Sequence, residues 1–243
     1  MLIFAHRGGQ GHAPANTLKA FDLAVNAGTS ALESDVRATV DGNLVFFHDA
    51  IVSLGMGRKL PVFLVPYKRL QLINAGAGER IPRVKDVFKH YADQGKLEAM
   101  TWSIDVPGIQ PSFSIEFDHL VKICEAFVIS KNVLACSTGC KILLHWRRKS
   151  PVMTYVWSVR PEQLRKMAVS GVINACKACQ ADVLNIKLED ATSELVDAAR
   201  AKDLQVFLWD VHDRARYERA IQFNPDAIYT DYPLEATNGT WST

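Results

Sequence analysis

The sequence predicts a (β/α)8 TIM barrel, and three observations carry that prediction. Short β-type runs alternate with helical runs from one end of the chain to the other, the pattern of a parallel sheet with crossover helices. Eight such strand–helix repeats can be counted. The length, 243 residues, sits close to the ~250 usual for that fold, whereas an open doubly wound sheet normally holds fewer strands.

The first run, Leu2–Ala5, ends in His6-Arg7-Gly8-Gly9. A helix over 17–26 then places Leu18, Phe21 and Val25 on one face at helical spacing and stops at Gly28. A second strand covers 31–36. Asp41-Gly42 lies between 37–40 and 44–47 as a two-residue hairpin signal, so a hairpin extends that strand and ends at His48-Asp49. Residues 50–80 break the rhythm with Gly55, Gly57, Pro61, Pro66, Gly76 and Gly78, and are expected as a small excursion inserted after the second strand of one domain spanning 1–243. A helix over 84–93 restores the pattern. Strands follow at 100–106, 133–136, 152–157, 182–186, 205–211 and 226–229, with helices at 116–129, 138–147, 161–178, 192–202 and 214–222, and a last helix that is short or missing.

Composition excludes several classes of function. With 48% hydrophobic and 22% charged residues the chain is that of a globular domain. No apolar stretch approaches the roughly 18 residues of a spanning helix, and no signal-like apolar segment follows Met1, so a cytoplasmic protein with no transmembrane segment is expected. A net charge of +2 with both signs mixed along the chain leaves no basic stripe for nucleic acid. Five cysteines form no regular framework and read as reduced thiols, the alternative being zinc held by Cys136, Cys140, Cys176 and Cys179.

In a barrel of this kind functional groups gather in the loops at the C-terminal ends of the strands. Four segments deliver polar groups there: His6 and Arg7 after the first strand, Glu33 and Asp35 on the second, His48 after the hairpin, and Asp105 on the third. Glu33 and Asp35 are two apart and share a face, which in a barrel is the interior. Carboxylates crowded in one low-dielectric mouth call for a cation between them, and all-oxygen ligation by Glu33, Asp35 and Asp105 suits Mg2+ or Ca2+. Two imidazoles, His6 and His48, can serve as one acid and one base near neutral pH, with Arg7 on phosphoryl oxygens. The substrate expected is a small-molecule phosphodiester.

These residues resemble a known signature. Ala5-His6-Arg7-Gly8-Gly9, Pro14-Ala15-Asn16-Thr17, Glu33-Ser34-Asp35-Val36, Thr39-Val40-Asp41-Gly42 and His48-Asp49 are similar to the motifs of the glycerophosphodiester phosphodiesterase family, as are Ile81-Pro82, Trp209-Asp210-Val211-His212 and Tyr229-Thr230-Asp231-Tyr232-Pro233. The resemblance implies a metal-dependent barrel hydrolysing glycerophosphodiesters to a glycerol phosphate and an alcohol, by attack of a neighbouring glycerol hydroxyl and opening of the resulting cyclic phosphate. It implies that His6 and His48 are acid and base, that Glu33 and Asp35 hold the metal, and that Arg7 contacts phosphate. Trp209 would form an apolar wall against the polyol.

Three departures from that pattern stand out. Ala15 replaces a glutamate, Asp105 is one methylene shorter than the glutamate of the third strand, and Pro107 replaces a phosphate-binding lysine. Lys187 at the end of the sixth strand is the substitute expected for that lysine, with His12 a weaker one. The apolar residues Phe63, Val65 and Tyr67 form a lip for a lipid chain or pack the insertion down. Alternatives are therefore a lysophospholipase D-like or sugar-phosphodiester enzyme, or a catalytically weak phosphodiester-binding barrel.

Overall fold

The computed structural model describes residues 1–55, 57–106 and 113–241, with the side chains of residues 113 and 114 left aside; Pro107 lies outside the described residues. The chain opens with β1 (Leu2–Ala5), α1 (Leu18–Asn26), β2 (Ala31–Ala38) and β3 (Leu44–Phe46). Next come β4 (Ile51–Ser53), β5 (Lys59–Pro61), α2 (Tyr67–Leu70), β6 (Asn74–Gly76), β7 (Glu79–Arg80) and α3 (Val84–Asp93). The alternation resumes as β8 (Thr101–Asp105), α4 (Phe113–Ala126), β9 (Val133–Ser137), α5 (Cys140–Lys149) and β10 (Thr154–Ser158). It continues through α6 (Pro161–Leu164), α7 (Val169–Ala178), β11 (Val183–Lys187), α8 (Ser193–Arg200) and β12 (Gln205–Trp209), and ends with α9 (Arg214–Gln222), β13 (Ala227–Thr230) and α10 (Pro233–Asn238).

Parallel pairing runs β1-β13-β12-β11-β10-β9-β8-β2, and a further β1–β2 pairing closes the ring. This is the expected (β/α)8 barrel. Alternation along each strand divides two apolar regions. Phe4, Ala31, Leu134, Val156, Val183, Phe207, Ala227 and Tyr229 point inward and fill the lower barrel. Leu32, Trp102, Ile104, Leu184, Ile186, Val206 and Leu208 point outward against the helices. Trp102 is fully buried among Phe21, Phe46 and Phe88, stacked on Phe46 at 5.7 Å.

Helix starts follow their caps. Thr17, Thr192 and Asp213 each accept from the backbone N–H three residues on, which sets the starts of α1, α8 and α9. The hairpin differs from its expected two-residue turn: the ladder ends at Ala38↔Leu44, leaving a loop over 39–43. The Gly42 N–H bonds the Thr39 carbonyl at 3.1 Å and the Thr39 N–H the Asn43 carbonyl at 2.8 Å, so a wider local turn replaces the two-residue one, and Asp41 ties it to the start of α2 by accepting the Tyr67 N–H at 3.0 Å. The single helix expected over 161–178 is two, α6 ending at Leu164 and α7 starting at Val169, and Arg165 between them bonds Asp190 at 2.7 Å.

Residues 50–80 form two small antiparallel pairs, β4–β5 and β6–β7. Val52, Val62, Val65, Leu70 and Ile81 build their own apolar cluster with Val45, and Tyr67 packs on it. Val65 and Tyr67 thus pack the insertion down. The proposed four-cysteine zinc site is not assembled: Cys136 is inside the barrel, hydrogen-bonded to Ser103, while Cys140, Cys176 and Cys179 lie where α5 meets α7. Arg147 pairs with Asp182 and Lys149 with Asp118, at the far end of α5 from the strand termini that carry the site.

Candidate active site

The site begins where β1 gives way to one tight turn, His6–Gly8. Arg7 sits in the left-handed region at φ 50°, and this turns its backbone N–H onto Glu33 Oε2 at 2.8 Å. Gly8 follows at φ 81°, where an added Cβ would meet Phe21 Cδ1 at 2.7 Å. The chain therefore leaves the barrel in a shape that puts both functional groups of the His6-Arg7 pair over the interior.

His6 is held by the last strand. Its Nδ1 lies 2.6 Å from Asp231 Oδ1, and Gln10 donates to the same oxygen at 2.9 Å. That commits Nδ1–H to Asp231 and leaves Nε2 facing the cavity, 3.9 Å from Glu33 Oε2. Burial pushes the His6 imidazole pKa down, but the Glu33 charge and the Asp231 hydrogen bond outweigh it and the net direction is up. Asp231 is held low despite its burial, because His6 and His212 stabilise its charge. His212 accepts the Asp231 N–H at Nδ1 and reaches Asp210 at 3.1 Å through Nε2; burial drives its pKa down, consistent with a neutral ring.

Parallel register sets Asp35 beside Asp105 and Glu33 beside Ser103. Glu33 and Asp35 are buried on the inner face, as their spacing requires. Burial and the neighbouring Asp35 push Glu33 up to about 8, against opposing pulls from His6 and the Arg7 N–H. Asp105 is raised to about 7, first by burial and then by Asp35. Asp35 itself has local support: Arg7 Nε at 3.3 Å and Asn16 Nδ2 at 3.0 Å. Asn16, at φ 60°, is braced in turn by the Ser34 hydroxyl at 2.6 Å.

Among the described residues, the one trio whose ligand atoms lie within 4.8 Å of one another is His6, His212 and Asp231, and not the three carboxylates. The 2.6 Å His6–Asp231 contact is shorter than the ~3 Å edge of an ion's coordination shell, so these two groups are bonded to each other. Glu33, Asp35 and Asp105 instead line one cavity together. Burial and mutual repulsion raise the pKa values of Glu33 and Asp105, and all three groups are oxygen donors, so the set fits a hard divalent ion.

A cavity of about 400 Å³ joins these groups: His6, Arg7, Glu33, Asp35, His48, Asp105 and Trp209 all line it. His48 is at its rim, half-exposed, with Nδ1 2.8 Å from Asp49 and its carbonyl accepting Arg37 Nε at 3.0 Å. Lys187 does not line the cavity. Its ammonium pairs with Glu189 at 3.1 Å and Asp210 at 3.4 Å, beside the Trp209 ring. His12 pairs with Glu235 at 2.9 Å and is likewise spent elsewhere. Asp231, His212 and Arg160 were not singled out as site residues by sequence; Asp231 and His212 were detectable, standing directly past strand ends within the motifs of the last two strands.

Residues 6–235 match the Glycerophosphoryl diester phosphodiesterase family. This chain belongs to that family. It is thereby a phosphoric diester hydrolase. A glycerophosphodiester phosphodiesterase of Caldanaerobacter subterraneus subsp. tengcongensis is 25% identical over 256 residues, covering 98% of this chain and 96% of that one. A lysophospholipase D of Rattus norvegicus is 26% identical, over 95% of this chain and 83% of that one. An Oleispira antarctica phosphodiesterase, solved with the product sn-glycerol-3-phosphate, superposes with a TM-score of 0.80 at 19% identity, over 98% and 95% of the two chains. Among the described residues no helix is long and apolar enough to cross a membrane.

Proposed function

We propose that the protein hydrolyses glycerophosphodiesters to a glycerol phosphate and an alcohol, using His6 and His48 as the acid–base pair. One observation carries the reading: His6, with its Nδ1 committed to Asp231, faces a cavity shared with Arg7, His48 and three carboxylates on neighbouring strands. Arg7 and the cavity's polar wall orient the phosphodiester, and Trp209 offers the polyol carbons an apolar face. One imidazole takes the proton of the attacking hydroxyl while the other delivers a proton to the departing alkoxide. Glu33, Asp35 and Asp105 are the residues that would hold a divalent ion, Mg2+ or Ca2+, which when bound would supply Lewis-acid polarisation of the phosphoryl oxygens. Asp105, one methylene shorter than a glutamate, would hold such an ion directly or through a water.

A second reading has its own observation. An apolar cleft of about 670 Å³ lined by Phe47, Ile51, Val52, Ile73 and Ile81 runs alongside His48 through Phe47 and Asp49, and the rat relative named above is a lysophospholipase D. In that reading an acyl chain lies in the cleft while the same catalytic groups act.

The test is turnover of glycerophosphocholine and lysophosphatidylcholine with Mg2+, Ca2+ or EDTA, for the parent protein and for His6→Ala and His48→Ala. The expected result is EDTA-sensitive hydrolysis of glycerophosphocholine, reduced roughly 10²–10⁴-fold in each variant. Preference for the lysolipid selects the second reading. Phosphodiester binding with no turnover on either substrate overturns both.

A further inference from the structure

A phosphodiester brings a negative charge into a cavity already walled by Glu33, Asp35 and Asp105, so the cations facing that cavity decide where it binds. Two guanidinium groups line it, Arg7 and Arg160. Arg7 is engaged by Asp35 at 3.3 Å and is enclosed by the β1 turn. Lys187, which lies on an inward-facing row, is neutralised by Glu189 and Asp210. Among the described residues Arg160 has no carboxylate partner: its guanidinium bonds the Thr138 hydroxyl at 3.3 Å, and the residue is exposed.

Its position in the ring matters as much as its freedom. Arg160 follows β10, the fifth barrel strand, which stands diametrically across the closed ring from β1, the strand that carries His6 and Arg7. The cavity between them is only about 400 Å³. Glu162 shares this wall, and it disfavours any second anion settling beside Arg160 without a guanidinium contact.

Resting on the phosphodiesterase reading above, we propose that Arg160 is a substrate-binding residue that grips the phosphoryl oxygens of the diester from the wall opposite Arg7. The planar fork of arginine matches two phosphoryl oxygens, and Thr138 holds it extended toward the cavity. The Michaelis complex is thus clamped from two sides of the barrel, and the job expected of Lys187 falls to a residue in the loop after the neighbouring strand.

The test compares Arg160→Ala and Arg160→Lys with the parent on two substrates, glycerophosphocholine and glycerophosphoglycerol, and measures inhibition by inorganic phosphate. Arg160 is exposed with one side-chain bond, so thermal melting should be unchanged and folding is controlled for. The expected result is a KM raised about 10- to 100-fold in Arg160→Ala on both substrates, the scale of a charge-assisted hydrogen bond, with kcat changed less, phosphate inhibition weakened in step, and partial recovery in Arg160→Lys. Unchanged KM and phosphate inhibition overturn the proposal. So does a loss confined to glycerophosphoglycerol, whose headgroup hydroxyls a guanidinium can hydrogen-bond where choline offers none, which assigns Arg160 to the headgroup. Should the parent protein turn over neither substrate, the phosphodiesterase reading fails separately, and calorimetric binding of inorganic phosphate to parent and Arg160→Ala still decides the role of Arg160.

Discussion

Asp231 and His6 are 225 positions apart in sequence and 2.6 Å apart in space, and that pair defines which nitrogen of the imidazole can act. Asp231 does not line the cavity; it works through His6 as a positioning residue. Replacing it by asparagine keeps the size but offers Nδ1 an amide that can donate as well as accept, so the ring is free to turn or to present the wrong tautomer. The expected outcome for Asp231→Asn is a kcat lowered about 10²-fold with KM within a few-fold of the parent, read from steady-state kinetics on glycerophosphocholine. A KM effect of equal size would place Asp231 on the substrate instead. The residue scale also shows what was legible beforehand. Glu33 and Asp35 could be placed on the interior because strand alternation is strictly local. The fate of Lys187 could not, since its ammonium is claimed by Glu189 two residues on and by Asp210 just past the end of the neighbouring β12.

At the scale of elements, the turn after β1 is the part of the site that tolerates least. Gly8 lies at φ 81° with the flank of α1 directly against it: a Cβ there would stand 2.7 Å from Phe21 and 2.9 Å from Ala20. Phe21 is itself pinned by Phe46 and Trp102 and has no space to yield. Gly8→Ala should therefore cost about 1–3 kcal/mol from overpacking together with the left-handed backbone, seen as a melting temperature lower by several degrees, and should disturb activity by shifting Arg7. A variant that melts with the parent would show that α1 moves aside freely. Elements were legible to the extent that their boundaries are written locally. The helix at 84–93 and the strand at 2–5 match to the residue, each bounded by its own pattern. The break after α6 and the five-residue loop closing the β2–β3 hairpin were not legible, because helical spacing of apolar residues continues past Leu164 through Met167 and Val169, and Asp41-Gly42 reads as a two-residue turn although Thr39 and Asn43 close a wider one.

Taken whole, the barrel is apolar below and acidic at its mouth, and the two halves have opposite effects on stability. The inward aromatics, with Phe4 stacked on Tyr229 at 5.0 Å, make a dry floor, so the carboxylates above it are desolvated from beneath. This is what raises Glu33 to about 8 and Asp105 to about 7, well above the values of an unfolded chain. The consequence for the metal-free protein has a definite sign. Between an unfolded pKa of about 4 and those folded values, the unfolded chain has released protons that the folded chain still holds. Unfolding is then favoured by raising pH: the stability present below about pH 4 drains away across the window up to about pH 8. Thermal melting in EDTA should accordingly fall as pH rises from 5 to 8, by an amount on the order of a few kcal/mol at most, since the two groups titrate together. Excess Mg2+ or Ca2+ should abolish that slope and raise the melting temperature most at the upper end, because ion binding and ionisation of the same oxygens are coupled. Glu33→Gln removes one of the desolvated charges, so it should flatten the EDTA profile while eliminating turnover. An EDTA melting curve that rises or stays level over this range would mean that the mouth is wet enough to ionise its carboxylates unaided, and the case for a cation among Glu33, Asp35 and Asp105 would lose its physical basis.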